Sequence, residues 1–189
     1  GRALVAARPA FKEPYRHLAD FYVRKALEAG ADIRFNCRAD KETVSSLKPD
    51  VVLVAVGGIP IRPAFCGEHP VLLAEDVLKG AATGGGLVGT ETAEFLAEQG
   101  KEVSILEMRP EVAADMELRS RLMLLNILRE KKVAFLTGTR VLSIEGKGRL
   151  KVQSGYGGER MLEGYDSIVL AIGYKGNVDL AADLEGQGF

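Results

Sequence analysis

The 189-residue chain is poor in the residue types on which metal sites and many catalytic sites depend. It has only two cysteines, Cys37 and Cys66, and their separation excludes a CxxC redox pair or a cysteine zinc pair. It also has only two histidines, His17 and His69, for which we expect structural or solvent-facing roles. We therefore expect no metal site and no catalytic dyad here, and the cysteine usage favours a reducing, cytoplasmic setting.

The chain also lacks a charge excess and long apolar runs. Its 25 basic residues are balanced by 26 acidic ones, and it shows no basic stripe that would release counterions from DNA or RNA. The longest apolar runs, at residues 51–56 and 168–172, are far shorter than the roughly 20 residues of a membrane-spanning helix. We expect neither a nucleic-acid partner nor a membrane span, and no N-terminal stretch has the pattern of a signal peptide.

Apolar residues and glycine are what the chain has in quantity. Hydrophobic residues make up 47% of it and glycine occurs 22 times, enough for one sizeable core or two small lobes that share a sheet. The sequence opens in a loop-like stretch and stops at DLEGQGF without a recognisable terminating element. This predicts a fragment of a longer polypeptide.

Three segments have apolar residues at helical spacing. The first begins at Pro14, a residue favoured in a first helical turn, and ends at Gly30. The second covers residues 88–99 and ends at Gly100, and the third covers residues 118–132. We predict one amphipathic helix in each segment.

Several short runs rich in β-branched residues predict strands, with a short helix at residues 43–47 between the first two. The predicted single strands span residues 32–35, 50–56, 102–106, 133–136 and 167–172. Turn-like glycine pairs separate three further strands, which we expect to form an antiparallel meander at residues 140–145, 149–153 and 159–162. Because strands alternate with helices, we predict an α/β, Rossmann-like, doubly wound parallel sheet with the meander as an insertion.

The densest glycine cluster satisfies the G-x-G-x-x-G pattern of a dinucleotide-binding turn. The first glycine permits a tight turn, the second lets a phosphate approach the backbone, and the third lets helix and strand pack closely. The following helix start offers free N–H groups and a positive dipole end to a pyrophosphate. The predicted phosphate-binding residues are Gly84, Gly85, Gly86, Leu87, Val88 and Gly89.

An acidic residue stands where the adenosine ribose of such a cofactor is bound. Glu107 ends the next predicted strand, about 20 residues after the glycines, where a carboxylate accepts hydrogen bonds from ribose hydroxyls. A carboxylate there repels a 2′-phosphate and favours NADH over NADPH. Arg109, two residues on, leaves NADPH open because a guanidinium binds that phosphate or stacks on adenine. Met108 lies between them and belongs to the same predicted site.

The sequence departs from the dinucleotide pattern directly before the glycines. The fingerprint should follow a strand of several apolar residues, but residues 79–83, KGAAT, are too short and too weakly apolar to form it. Either that strand is deleted, or residues are missing from the sequence between Thr83 and Gly84.

As a set, four segments resemble the C-terminal half of a flavoprotein family. They are GGGLVGTETAEFLAEQGKEVSILEM at 84–108, AADM at 113–116, PDVVLVAVGGIPIRP at 49–63 and DSIVLAIG at 166–173. The chain is similar there to the NADH:flavin oxidoreductases, which include 2,4-dienoyl-CoA reductase, enoate reductases and trimethylamine dehydrogenase. The resemblance covers nearly the whole chain.

The resemblance implies a domain plan and a set of cofactors. Residues 1–79 would be a partial flavin-binding domain, residues 80–173 the NAD(P)H-binding domain, and residues 174–189 a return segment to the flavin-binding domain. It implies FAD in the full-length protein, and an N-terminal barrel with FMN and an iron–sulfur cluster in a part absent here. Further cofactor-binding positions implied are Gly57, Gly58 and Gly173, with Tyr174 at the border of the nicotinamide pocket.

The resemblance implies that the chain passes hydride from NADH or NADPH to a flavin. The protein's share of such a reaction is positioning, so we expect no catalytic side chain, and we do not expect this piece alone to reduce an enoyl substrate. One alternative is a non-catalytic ADP-binding module, since trimethylamine dehydrogenase holds ADP in the equivalent region. Another is an S-adenosylmethionine methyltransferase, against which the meander and the glycine-ended strands argue.

Overall fold

The computed structural model of the chain describes residues 2–78, 87–155 and 157–186. The chain divides into two compact units. Unit 1 comprises Gly1–Ala19 and Arg62–Gly173, and unit 2 comprises Asp20–Ile61 and Tyr174–Phe189.

Helices and short strands alternate along the described residues. The helices are α1 Arg2–Ala6, α2 Pro14–Glu28, α3 Lys41–Ser46, α4 Ala74–Leu78, α5 Leu87–Glu98, α6 Leu118–Glu130 and α7 Asp179–Leu184, with 3-10 turns at Ala10–Lys12 and Ala64–Cys66. The strands are β1 Gly58–Pro60, β2 Leu72–Leu73, β3 Ser104–Leu106, β4 Ala134–Leu136, β5 Thr139–Ile144, β6 Leu150–Ser154, β7 Glu159–Leu162, β8 Val169–Leu170 and β9 Tyr174–Gly176.

The three long helices lie where their periodicity predicts them. α2 begins at Pro14 as predicted, and Gly30 after its end has a φ of +84°, a left-handed conformation that favours glycine. α6 is capped by Glu117, whose carboxylate accepts hydrogen bonds from the backbone N–H groups of Arg119 and Ser120, each at 2.9 Å. These bonds favour the ionised form and lower the pKa of Glu117.

The strands form parallel pairs and an antiparallel meander, which confirms the predicted mixed α/β fold. β3 pairs with β4 and β2 pairs with β8, both in parallel. α6 lies between β3 and β4 in the sequence, so these three elements form a βαβ unit. β5, β6 and β7 form the predicted three-stranded antiparallel sheet, and β1 pairs antiparallel with β9.

Unit 1 contains two hydrophobic cores. The first joins α5 and α6 to the β3–β4 pair and consists of Ala93, Ile105, Val112, Leu124, Leu125, Leu128 and Val133. The second lies under the meander and consists of Cys66, Ile144, Leu150, Val152 and Leu170. Leu128 and Val152 are fully buried, one in each core. These cores hold the end of β3 and the meander in place.

A carboxylate is buried beside the first core. Glu94 on α5 is only 7% exposed, and burial raises its pKa, with a second upward contribution from the nearby Glu98. Thr90 and Thr92 on the same helix are fully buried, and the Thr92 hydroxyl donates to the Val88 carbonyl oxygen. The beginning of α5 therefore has a polar buried face.

Two predicted strands are wrong. Residues 32–35 and 50–56 form no strand, and Leu53 and Val51 are 90% and 79% exposed. β-branched composition supplies strand propensity, but a strand also needs a neighbour that accepts and donates its backbone hydrogen bonds. Among the described residues no strand pairs with either segment.

Unit 2 has almost no core of its own. Leu184 is its one buried residue among those described, whereas Phe35, Leu47 and Val178 are more than half exposed. Its regular pairing consists of the three-residue β1–β9 ladder. A two-stranded ribbon without a packed face is marginal in water, so most of the stabilising apolar burial in this chain belongs to unit 1.

Truncation of Leu128 should therefore destabilise the chain far more than truncation of Leu53. Leu128→Ala empties a fully buried site and should lower the free energy of unfolding by about 2–5 kcal/mol. Leu53→Ala removes a side chain that is 90% exposed and should change it by less than about 0.5 kcal/mol. Urea denaturation followed by circular dichroism measures both, and similar losses in the two variants would contradict this assignment of the core.

The buried carboxylate of Glu94 predicts a pH dependence of stability. Because its folded-state pKa is raised above the ordinary value of 4.5, the folded chain binds the proton more tightly than the unfolded chain. Ionisation of Glu94 therefore costs stability as the pH rises above about 4.5. Glu94→Gln should raise the melting temperature at pH 7, and the gain should vanish below pH 4. Glu130→Gln, at an exposed position at the end of α6, is the control, and a loss in Glu94→Gln at every pH would refute the idea.

Candidate functional site

The described part of the glycine fingerprint opens a helix. Gly84, Gly85 and Gly86 lie outside the described residues. α5 begins at Leu87 and carries Val88 and Gly89 in its first turn. Gly89 is buried, in keeping with a position where helix and sheet approach closely. The first N–H groups of a helix have no partner inside it, so this end of α5 can receive a negative charge.

An ion pair beside this helix start was not predicted from the sequence. The ammonium of Lys12 contacts the carboxylate of Glu91, and their side chains are only 17% and 21% exposed. Glu91 follows Gly89 by two residues, which placed it near the fingerprint. Lys12 belongs to a 3-10 turn far away in the sequence and gave no signal. The pair fixes the N-terminal segment of unit 1 to α5.

Glu107 stands at the carboxyl end of β3, as its spacing predicts. Its backbone N–H donates to the Leu136 carbonyl oxygen at 3.0 Å, and its own carbonyl oxygen accepts from Thr139 N–H at 2.9 Å. One carboxylate oxygen, Oε1, accepts from the Arg109 backbone N–H at 2.9 Å. The other has no hydrogen-bond partner among the described residues, so it remains available to a ligand hydroxyl.

The guanidinium of Arg109 is already engaged. Its Nη1 donates to Oδ1 of Asp115 at 2.8 Å. This hydrogen bond and the attraction between the charges raise the pKa of Arg109 and lower the pKa of Asp115. A 2′-phosphate that used Arg109 would have to displace Asp115.

The turn after Glu107 borders a groove in unit 1 with a volume of about 380 Å³. We call it the meander groove, and it is lined by Met108, Gly138, Arg140, Gln153, Ser154, Gly155 and Gly157. Of these residues, only Met108 belongs to the site predicted from the sequence. The others come together through the pairing of β5 with β6, which sequence spacing does not reveal.

The glycines expected near the flavin have structural reasons of their own. In unit 2, Gly57 has a φ of +79°, and its carbonyl oxygen accepts from Asn177 N–H at 3.0 Å. A Cβ at Gly58 would lie 2.7 Å from the carbonyl oxygen of Lys175, so the β1–β9 ladder requires glycine there. In unit 1, Gly173 has a φ of +106° at the end of the unit. Their contact with a cofactor stays a prediction.

The described residues contain no cluster of three or more metal-ligating side chains. His17 is exposed on α2, and the backbone carbonyl of His69 accepts a hydrogen bond from Arg62 at 2.7 Å. None of the described helices is both long enough and apolar enough to cross a membrane.

The candidate site of unit 1 consists of the start of α5, the carboxylate of Glu107 and the meander groove.

Comparison with known proteins identifies the family of this chain. A family model described as pyridine nucleotide-disulphide oxidoreductase matches residues 22–188. NADH oxidase of Thermoanaerobacter brockii is 33% identical over 204 residues, which cover all of this chain and 31% of that protein. Cinnamate reductase of Clostridium sporogenes is 31% identical over 195 residues, which cover 97% of this chain and 29% of that protein. The chain thus spans about 30% of the length of these relatives.

A solved structure shares the fold over almost the whole chain. A 2-naphthoyl-CoA reductase in complex with 2-naphthoyl-CoA superposes with a TM-score of 0.86 over 97% of this chain and 29% of its own, at 24% identity. These comparisons confirm the family resemblance predicted from the sequence, and they support binding of FAD and NAD(P)H. Because the family model covers most of the sequence, from residue 22 to residue 188, the chain belongs to the pyridine nucleotide-disulphide oxidoreductase family.

Proposed function

We propose that this chain is the pyridine-nucleotide-binding part of a flavin-dependent oxidoreductase that passes hydride from NAD(P)H to a flavin. The proposal depends on the position of Glu107. Its carboxylate has one free oxygen and stands at the carboxyl end of β3, the parallel strand that follows α5. Relatives named NADH oxidase and cinnamate reductase support the same reaction class.

The residues of unit 1 fit the adenosine and pyrophosphate of a dinucleotide. The free oxygen of Glu107 accepts a hydrogen bond from a ribose hydroxyl. The N–H groups at the start of α5 bind the pyrophosphate, together with the predicted Gly84–Gly86 turn. Two observations favour NADH over NADPH. The carboxylate repels a 2′-phosphate, and the cation nearest in sequence, Arg109, is engaged with Asp115.

The protein's contribution to such a reaction is binding and orientation. When bound, NAD(P)H supplies the hydride and the flavin accepts it. Neither histidine of the chain lies in the candidate site of unit 1, and hydride transfer needs no general acid there. The half-buried Lys12–Glu91 pair and the two cores of unit 1 hold the start of α5 and the end of β3 in fixed positions.

We further propose that unit 2 belongs to a flavin-binding domain that other parts of a longer polypeptide complete. Residues 1–79 and 174–189 would contribute to this domain and residues 80–173 would bind NAD(P)H, with Gly57, Gly58 and Gly173 near the cofactors. The exposed, strand-like residues 50–56 support this, because an added strand would pair with their backbone and cover Leu53. The greater length of the relatives supports it as well.

The remaining part of such a protein follows from the same resemblance. We propose that an N-terminal flavin barrel of the same polypeptide carries FMN and an iron–sulfur cluster. We also propose a cytoplasmic location, which the two free cysteines, Cys37 and Cys66, support.

Removal of the Glu107 carboxylate tests the proposed function. Glu107→Ala deletes the acceptor for the ribose hydroxyl, so NADH affinity should fall about ten- to hundredfold, the loss expected for a hydrogen bond to a charged group. NADPH affinity should fall less, because repulsion of its 2′-phosphate is removed at the same time. Isothermal titration calorimetry with NADH, NADPH and ADP measures this, with Glu102→Ala as the control for an exposed acid next to the same strand.

Three outcomes of that titration, the last combined with an assay of flavin reduction, count against the proposal. Equal losses in the two variants, or no loss in Glu107→Ala, would remove Glu107 from the site. Binding of ADP as tight as that of NADH, without flavin reduction by NADH in the flavin-loaded protein, would instead indicate a passive ADP-binding module.

The pairing of Arg109 with Asp115 predicts the effect of a single substitution on cofactor preference. Asp115→Asn frees the guanidinium, which can then bind a 2′-phosphate. The ratio of NADPH to NADH affinity should rise about two- to fivefold, as expected for an exposed ion pair. Glu111→Gln is the matched control, since Glu111 lies in the same loop as Asp115 and pairs with Arg121 of α6. An unchanged ratio in Asp115→Asn, or the same rise in both variants, would argue against this role of Arg109.

A further inference from the structure

We propose that the meander groove binds the adenine ring of the dinucleotide, with the guanidinium of Arg140 stacked on the base. This rests on the proposed function, because it concerns the same cofactor. It adds a binding surface on the antiparallel meander to the helix start and the carboxylate of the parallel part.

The groove lies where the base must be if Glu107 holds the ribose. Adenine is bonded directly to that ribose, so it must lie next to the carboxylate. Met108, the next residue in the chain, lines the groove. Two backbone hydrogen bonds, from Thr139 to Glu107 and from Gly138 to Arg109, both 2.9 Å, join this turn to the beginning of β5. The second residue of β5 is Arg140.

Arg140 and Gln153 face the groove together. They are partners in the β5–β6 register, so their side chains are neighbours on one face of the sheet. Thr139 and Val152, adjacent to them along each strand, are buried. Because successive side chains alternate between the two faces, Arg140 and Gln153 point away from the core. Within the described part of the chain, Arg140 has no hydrogen-bond or ion-pair partner.

The three side chains match the surface of adenine. A guanidinium is planar and weakly hydrated and stacks on aromatic faces, and a thioether packs favourably against aromatic rings. A glutamine amide matches the donor and acceptor pair that adenine presents at N6 and N7. The groove volume of about 380 Å³ is in the range of small-molecule sites.

The same residues are less suited to a 2′-phosphate. Phosphate sites gather several charged donors, but Arg140 is the only cation among the described residues that line the groove, and the carboxylate of Glu107 precedes Met108 directly. Arg109, the cation that follows Met108, is engaged with Asp115. We therefore assign Arg140 to the base and not to the phosphate.

Substitutions of Arg140 separate stacking from charge. In calorimetric titrations of the protein, Arg140→Ala should weaken ADP, NADH and NADPH alike, by about three- to tenfold. Arg140→Tyr keeps a flat stacking surface without charge and should restore most of the affinity. Arg160→Ala removes the same charge from β7, outside the groove, and should leave all three affinities unchanged.

Any other result of these titrations would overturn the assignment of Arg140 to the adenine ring. If Arg140→Ala binds the three ligands as Arg160→Ala does, the base lies elsewhere. If the loss is confined to NADPH and Arg140→Tyr does not restore it, Arg140 binds phosphate. In both cases the tight NADH binding of the unaltered protein would leave the proposed function standing. If the unaltered protein binds none of the three ligands, the proposed function fails, and the adenine site with it.

Discussion

The structure of unit 1 depends on a short series of backbone hydrogen bonds between the turn after β3 and the segment that leads from β4 into β5. Glu107 donates to Leu136 and accepts from Thr139, and Arg109 accepts from Gly138. These bonds join a βαβ unit to an antiparallel sheet, two modules with different pairing rules. Each module has its own apolar core, so these hydrogen bonds hold Glu107 between two packed parts of unit 1. These contacts with residues of β4 and β5 fix the backbone at Glu107, so the proposed nucleotide would meet a preorganised carboxylate.

The local features of this arrangement were predictable from sequence. Helical periodicity gave α2, α5 and α6, and the distance from Gly84 to Glu107 placed the acid at a strand end. The glycines at the turns predicted the meander. Each of these predictions uses residues that are near one another in the chain, where spacing and geometry are directly linked.

The features that were not predicted involve partners that are distant in the chain. The pairing of Lys12 with Glu91 depends on how an N-terminal turn packs on α5, and the facing of Arg140 and Gln153 depends on a strand register. The two wrong strands, at residues 32–35 and 50–56, are the converse case. Their composition is that of buried strands, but composition does not specify a neighbour, and no strand of the described chain supplies one.

The exposure of residues 50–56 also bears on how this chain behaves at high concentration. The core of the segment, VVLVAV, has high β-propensity and contains no charge, proline or glycine. Such a stretch with free backbone groups is able to pair with identical copies of itself and stack into cross-β assemblies. Any polypeptide that covers this segment would therefore suppress self-association as well as complete a fold.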